Sequence, residues 1–393
     1  MISDKIRESL GKASFIRAMF EEGEKLRKIH GADKVYDFSL GNPDIEPPAI
    51  VQEALKKAVM DPKPMLHGYM NNAGYTDVRS SVAARLAKDT GVPVAFGNVV
   101  MTCGAGGALN VVLKTLLNPG EEVIILSPYF VEYLFYIDNH GGKSVIVATN
   151  PDTFQPDPEK IYQAINAKTK AIIINSPNNP TGVVYSEAVL KEMAQKLQAR
   201  EKEFGTSIYV ISDEPYGKIV YDNTPVTPVF KVFKNSILVD SFSKSLSLPG
   251  ERIGYIAVNP PADDVEMLMN GLIFANRTLG YVNAPALFQR ILPESLNATV
   301  EVEEYKKRRD IFYDVLTKAG YECIKPQGAF YLFPKSLIPD DVEFCKRAVK
   351  YNLVIVPGTG FGCPGHFRVV YCVNANVIRN SQPAFEALAK EFK

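Results

Sequence analysis

The sequence predicts an α/β fold: a large domain on a mainly parallel sheet flanked by helices, then a smaller α+β domain. Three observations carry this. Short β-branched runs recur along the middle of the chain: "EEVIIL" (121–126), "KSVIVA" (143–148), "KAIIIN" (170–175), "SIYVIS" (207–212) and "NSILVD" (235–240). Near-continuous apolar runs of this length suit strands buried on both faces of a parallel sheet. Helical patterns at 107–117 and 186–200 lie between them, as βαβ units require. From about residue 290 the texture changes to a charged helix, "TVEVEEYKKRRDIFYDVLTKAG", followed by "AFYLFP", another helix, "LVIVPG" and "FRVVYCV".

The chain has 393 residues, enough for one large or two medium domains with real cores. Lys plus Arg and Asp plus Glu both number 44, so no net field recruits nucleic acid or an acidic membrane. A small partner fits better. Five cysteines, Cys103, Cys323, Cys345, Cys363 and Cys372, show no CxxC spacing and read as core fillers in a reducing compartment. The four histidines, His30, His67, His140 and His366, show no metal-ligand spacing. The charged start "MISDKIRESLGK" has no signal-peptide core, and no apolar run reaches the ~18 residues of a membrane span. The expectation is a cytoplasmic enzyme.

"FSLGNPDIEPP" (38–48) reads as an irregular connection, since its prolines and Gly41 exclude a continuous helix. Polar clusters then follow consecutive strands: "NSPNNPTG" (175–182), "SDEPYG" (212–217) and "SFSK" (241–244). Each alone is an ordinary turn. Together they mark the carboxyl edge of the sheet, where ligands of such folds bind. "MTCGAGGALNVVL" (101–113) adds a Gly-rich turn opening a helix, suited to phosphate. A dinucleotide would want an acid about 20 residues on, and the next strand ends "IILSPYF" without one. A nicotinamide-dependent dehydrogenase is therefore the weaker alternative.

The assembled groups are Lys244, Asp213, a tyrosine three residues later, an asparagine, an aromatic and two sources of phosphate donors. A lysine attached to an aldehyde as an imine escapes its high free pKa. The aldehyde with a phosphate arm and a ring nitrogen that benefits from a carboxylate is pyridoxal 5′-phosphate.

At these residues the chain resembles the fold type I aminotransferases, the aspartate aminotransferase superfamily of class I/II, over nearly its whole length. "SFSKSLSLPGERIGY" is similar to the family's cofactor-lysine signature, "SPNNPTG" to its asparagine loop and "SDEPY" to its pyridine-nitrogen motif. "GYMNNAGYTDVR" matches its tyrosine-to-glycine spacing and "FRVVYC" its carboxylate-binding strand.

The resemblance implies that Lys244 carries the cofactor and shuttles the proton, with Asp213 keeping the pyridine nitrogen protonated. It gives Tyr216 and Asn179 hydrogen bonds to the phenolic oxygen, and Phe130 a place stacked on the ring. It assigns the phosphate to Arg252, Ser241, Ala105 and Gly106, with Tyr69 reaching the site of a neighbouring subunit. Arg368 and Gly41 are the α-carboxylate residues, helped by Asn179. Some relatives place a distal-carboxylate lysine where Gly106 and Gly107 stand here, which leaves Arg277 as the candidate cation.

The implied fold is that of the PLP-dependent transferases, its small domain built from both chain ends. The expected division is an N-terminal segment 1–47 joining the small domain, a PLP-binding domain 48–288 and a small domain 289–393. The expected activity is amino transfer from an L-amino acid to a 2-oxo acid in a ping-pong cycle, by a homodimer with shared active sites. Aspartate or broader, aromatic-tolerant specificity is expected. A PLP-dependent C–S β-lyase shares the framework, and a non-enzymatic ligand sensor is a further alternative.

Overall fold

The computed structural model describes residues 2–11, 15–61 and 64–392. Its main sheet has seven strands, labelled here in chain order: β1 Val99–Thr102, β2 Glu122–Ser127, β3 Lys143–Ala148, β4 Thr169–Asn175, β5 Tyr209–Asp213, β6 Ser236–Ser241 and β7 Gly254–Val258. The spatial order is β1-β7-β6-β5-β4-β2-β3. β7 runs antiparallel to β1 and β6, and the other pairs are parallel.

The alternation of the strands divides their side chains between two cores. Ile124, Ile172, Ile174 and Val210 enter one, with residues of helices Thr76–Thr90, Glu187–Phe204 and Ala286–Ser295. Val123, Ile125, Ile173 and Ile211 enter the other, under helices Gly104–Leu116 and Val265–Thr278. Both faces are covered, as a parallel sheet demands. β3 departs from that expectation. It is the outer strand, and its Ile146 is exposed, because no further strand or full helical layer lies beyond it.

A further core draws on both ends of the chain. Phe38 packs with Phe312 of helix Val302–Ala319, with Phe385 near the C-terminus, and with Phe344 and Phe367. Tyr36–Asp37 pairs in parallel with Leu353–Val354. Strand Phe367–Val370 lies between Val356–Pro357 and Tyr331–Leu332 in a three-stranded antiparallel sheet. The run "AFYLFP" contributes only two strand residues, and Phe330 just before them packs its ring on Tyr216 and Tyr305.

Segment 38–48 is irregular and crosses from this core to the sheet edge. Asp44 anchors it by an ion pair of 2.6 Å to Arg308. Among the described residues no helix is long and apolar enough to cross a membrane.

Candidate active site

The carboxyl ends of β4, β5 and β6 place Asn175, Asp213 and Ser241 side by side on one edge; Asn175 pairs with Asp213 in register. Because β7 is antiparallel, its beginning returns to the same edge, and Ser241 pairs with Gly254. That reversal brings Arg252 to the site. Gly254 is required there, since a Cβ would stand 2.6 Å from the Asp240 carbonyl and 2.9 Å from the backbone of Gly104. Arg252 itself has φ 52°, a left-handed conformation that a non-glycine residue adopts only when its surroundings hold it.

These elements enclose a cavity of about 270 Å³. Of the residues singled out in the sequence, Gly41, Ala105, Gly106, Phe130, Asn179, Asp213, Tyr216, Ser241, Lys244, Arg252 and Arg368 all line it. Tyr69 and Arg277 do not. Tyr69 is 90% exposed, and Arg277, at the end of helix Val265–Thr278, stacks on exposed Phe274 at 5.2 Å.

Lys244 follows β6 in the short helical turn Phe242–Ser245, and its Nζ donates to the Gly41 carbonyl at 2.8 Å. Burial pushes its pKa down to about 8, and Arg368 and Arg252 act in the same direction against Cys372. Asp213 Oδ2 accepts a hydrogen bond of 2.5 Å from Tyr133, while Oδ1 is buried without a partner. Burial raises this carboxyl to about 7, opposed by the Tyr133 hydrogen bond and reinforced by Asp240.

Arg368 is buried in the central strand of its sheet. Its Nη1 donates to Asn179 Oδ1 at 3.1 Å and its Nη2 to the Ser39 carbonyl at 2.5 Å, and Nε has no partner. Tyr331 and Phe361 flank the guanidinium at 4.9 and 4.7 Å. Burial lowers its pKa. Ala105 and Gly106 open helix Gly104–Leu116, where the first amide N–H groups lack intrahelical partners. Arg252 lies over the same turn, its Nη2 3.0 Å from where a Cβ on Gly104 would stand.

Tyr133, Tyr136, Asn175, Ser243 and Tyr331 also line the cavity and were missed in the sequence. Tyr133 stands one helical turn after Phe130, so the i, i+3 spacing from the aromatic was an available signal. Asn175 receives the Asn179 amide and donates to the Asp213 carbonyl, joining two strand ends. Tyr331, hidden in "AFYLFP", has its hydroxyl 2.6 Å from that of Tyr216. No metal-holding cluster of His, Cys, Asp and Glu occurs among the described residues.

Lys244, Asp213, Arg252 and Arg368 surround one cavity at the strand ends, and residues 33–381 match the family model "Aminotransferase class I and II". The chain belongs to that family and is a transferase of amino groups. It is 32% identical to the aspartate/prephenate aminotransferase of Thermus thermophilus over 95% of each chain. Among solved structures it is similar to an amino transferase from Eubacterium rectale, with 41% identity, TM-score 0.97 and full coverage of both chains. The Thermus thermophilus aspartate aminotransferase with maleate is similar at 28% identity and TM-score 0.87, over 99% of each chain. Family membership favours amino-group transfer over the β-lyase, dehydrogenase and ligand-sensor alternatives.

Proposed function

We propose that the cavity holds pyridoxal 5′-phosphate and moves an amino group between an L-amino acid and a 2-oxo acid. The observation that carries this is the unpartnered, buried Asp213 Oδ1 in one cavity with a lysine whose amine loses its proton near pH 8. A buried carboxylate oxygen without a donor is costly. A protonated ring nitrogen supplies the missing donor. When bound, the cofactor provides the electron sink for the carbanion left at the substrate Cα.

The chain's own residues do the rest. With the cofactor bound, Lys244 Nζ would be the base that accepts the proton from the substrate Cα and the acid that gives it back. Asn179 Oδ1 is engaged by Arg368, so its amide N–H groups are left to donate to the phenolic oxygen alongside Tyr216. Phe130 packs on the ring. Arg252, Ser241 and the amides of Ala105 and Gly106 hold the phosphate, by charge and by helix N-terminal donors. Arg368 grips the α-carboxylate, using its unpartnered Nε and remaining N–H groups, with Gly41 close by.

The functional unit is a cytoplasmic homodimer. Free cysteines suit that compartment, and the exposure of Tyr69 supports a role for it in a second copy's phosphate site. The names of the relatives support a dicarboxylate donor. Since Gly106 and Gly107 offer no cation and Arg277 lies outside its own chain's cavity, the distal carboxylate is met by the second copy's Arg277.

Steady-state kinetics with aspartate, glutamate, alanine, phenylalanine and kynurenine as donors and 2-oxoglutarate as acceptor test this. Arg277→Ala should lose about 2–5 kcal/mol of transition-state stabilisation, selectively for the dicarboxylates. Equal losses on every donor remove Arg277 from the site, and strict preference of the wild type for aspartate refutes broad specificity.

A further inference from the structure

Tyr331 stands where three functional groups of the cavity meet. Its hydroxyl is 2.6 Å from that of Tyr216, and the two rings are edge to face at 5.6 Å. The Arg368 guanidinium lies 4.9 Å from its ring centroid. A Cβ on Gly41 would come within 2.6 Å of its hydroxyl, so glycine at 41 makes room for Tyr331 while its carbonyl receives Lys244. Pairing of Tyr331–Leu332 with Val369–Val370 fixes the backbone from which the ring projects.

We infer that Tyr331 is a positioning residue for Tyr216: it donates its phenolic proton to the Tyr216 oxygen, so that the single proton of Tyr216 turns toward the cofactor's phenolic oxygen. This rests on the cofactor reading above. A phenol has one proton to give. Were Tyr216 the donor within the pair, only its lone pairs would remain, and these repel a phenolate. Burial raises both phenols, Tyr216 well above the ordinary range and Tyr331 to about 12. The Arg368 guanidinium, 4.9 Å from the Tyr331 ring centroid, favours Tyr331 as the donor of the pair. A residue beside the carboxylate-binding arginine thereby sets how firmly the phenolate is held.

The test uses protein loaded with pyridoxal 5′-phosphate and follows the visible absorbance of the bound cofactor against pH. Removing a donor to the phenolate destabilises the deprotonated form. Tyr331→Phe should therefore move the midpoint upward by roughly 0.5 to 1 pH unit, less than Tyr216→Phe does. The double variant should titrate like Tyr216→Phe alone, because Tyr331 acts through Tyr216. 3-Fluorotyrosine placed at 331, a stronger donor, should move the midpoint down, and it keeps the question open to refutation if the phenylalanine variant fails to fold. An unchanged midpoint in Tyr331→Phe, an unchanged or raised one with fluorotyrosine, or additive shifts in the double variant would overturn the inference. A wild-type protein with no pH-dependent visible band would instead refute the cofactor reading itself.

Discussion

Asp213 shows how a single residue trades stability for function. Its carboxyl titrates near 7 in the folded chain against 3.8 ordinarily, with burial as the first cause and Tyr133 and Asp240 as its polar neighbours. Between those values the folded state holds a proton that the unfolded state has released. Stability of the cofactor-free protein therefore falls as pH rises from about 4 to about 7, and the deficit persists above. Asp213→Asn removes the buried charge. At pH 8, cofactor-free Asp213→Asn should resist denaturant better than the wild type by about 1–3 kcal/mol, and the gap should close below pH 4. Its affinity for pyridoxal 5′-phosphate should drop at the same time. A variant that is less stable at pH 8 contradicts the account of Asp213 Oδ1 as an unsatisfied group.

Among the elements, β7 has the decisive geometry, because its reversal delivers Arg252 to the edge where the parallel strands end. Gly254→Ala sets a methyl group against the Asp240 carbonyl and the Gly104 backbone. Backbone on both sides leaves little to yield, so urea unfolding should show a loss of about 1–3 kcal/mol. Cofactor affinity should fall with it, since Gly104 opens the phosphate turn. Retention of both would show that the strand and the turn adjust independently.

The parallel strands were legible in the sequence because β-branched runs such as "KAIIIN" have no other good home. β7 was not. "GYIAV" follows a motif read for its lysine and arginine, and nothing in a five-residue apolar run announces its direction. The same limit hid Tyr331, whose apolar neighbours make its hydroxyl look like core. Arg368 was legible for the opposite reason, a cation inside an apolar strand. The exposure of β3 was misread because periodicity does not reveal which strand lies outermost.

At the scale of the whole molecule, the proposed dimer would bring a second copy of the chain to the surface around Tyr69. Asn72 and Asn283 tie the loop after Tyr69 to segment 282–283, just beyond the helix that carries Phe274 and Arg277. Met65, Tyr69 and Phe274 are exposed in the single chain, as apolar side chains awaiting a partner would be. Mixing inactive Lys244→Ala with inactive Tyr69→Ala subunits should restore one complete site per hybrid dimer, and an inactive mixture argues against sharing. Around that site we propose a large domain of residues 48–288 and a small domain of residues 289–393 that the N-terminal segment 1–47 joins. All of this depends on Lys244 being the point of cofactor attachment. Borohydride reduction of protein loaded with pyridoxal 5′-phosphate, followed by peptide mapping, tests that most directly. The account predicts one pyridoxyl adduct per chain, on Lys244 in the peptide containing "SFSK", and none in Lys244→Ala; an adduct on a different lysine, or no adduct after reconstitution with pyridoxal 5′-phosphate, would contradict it.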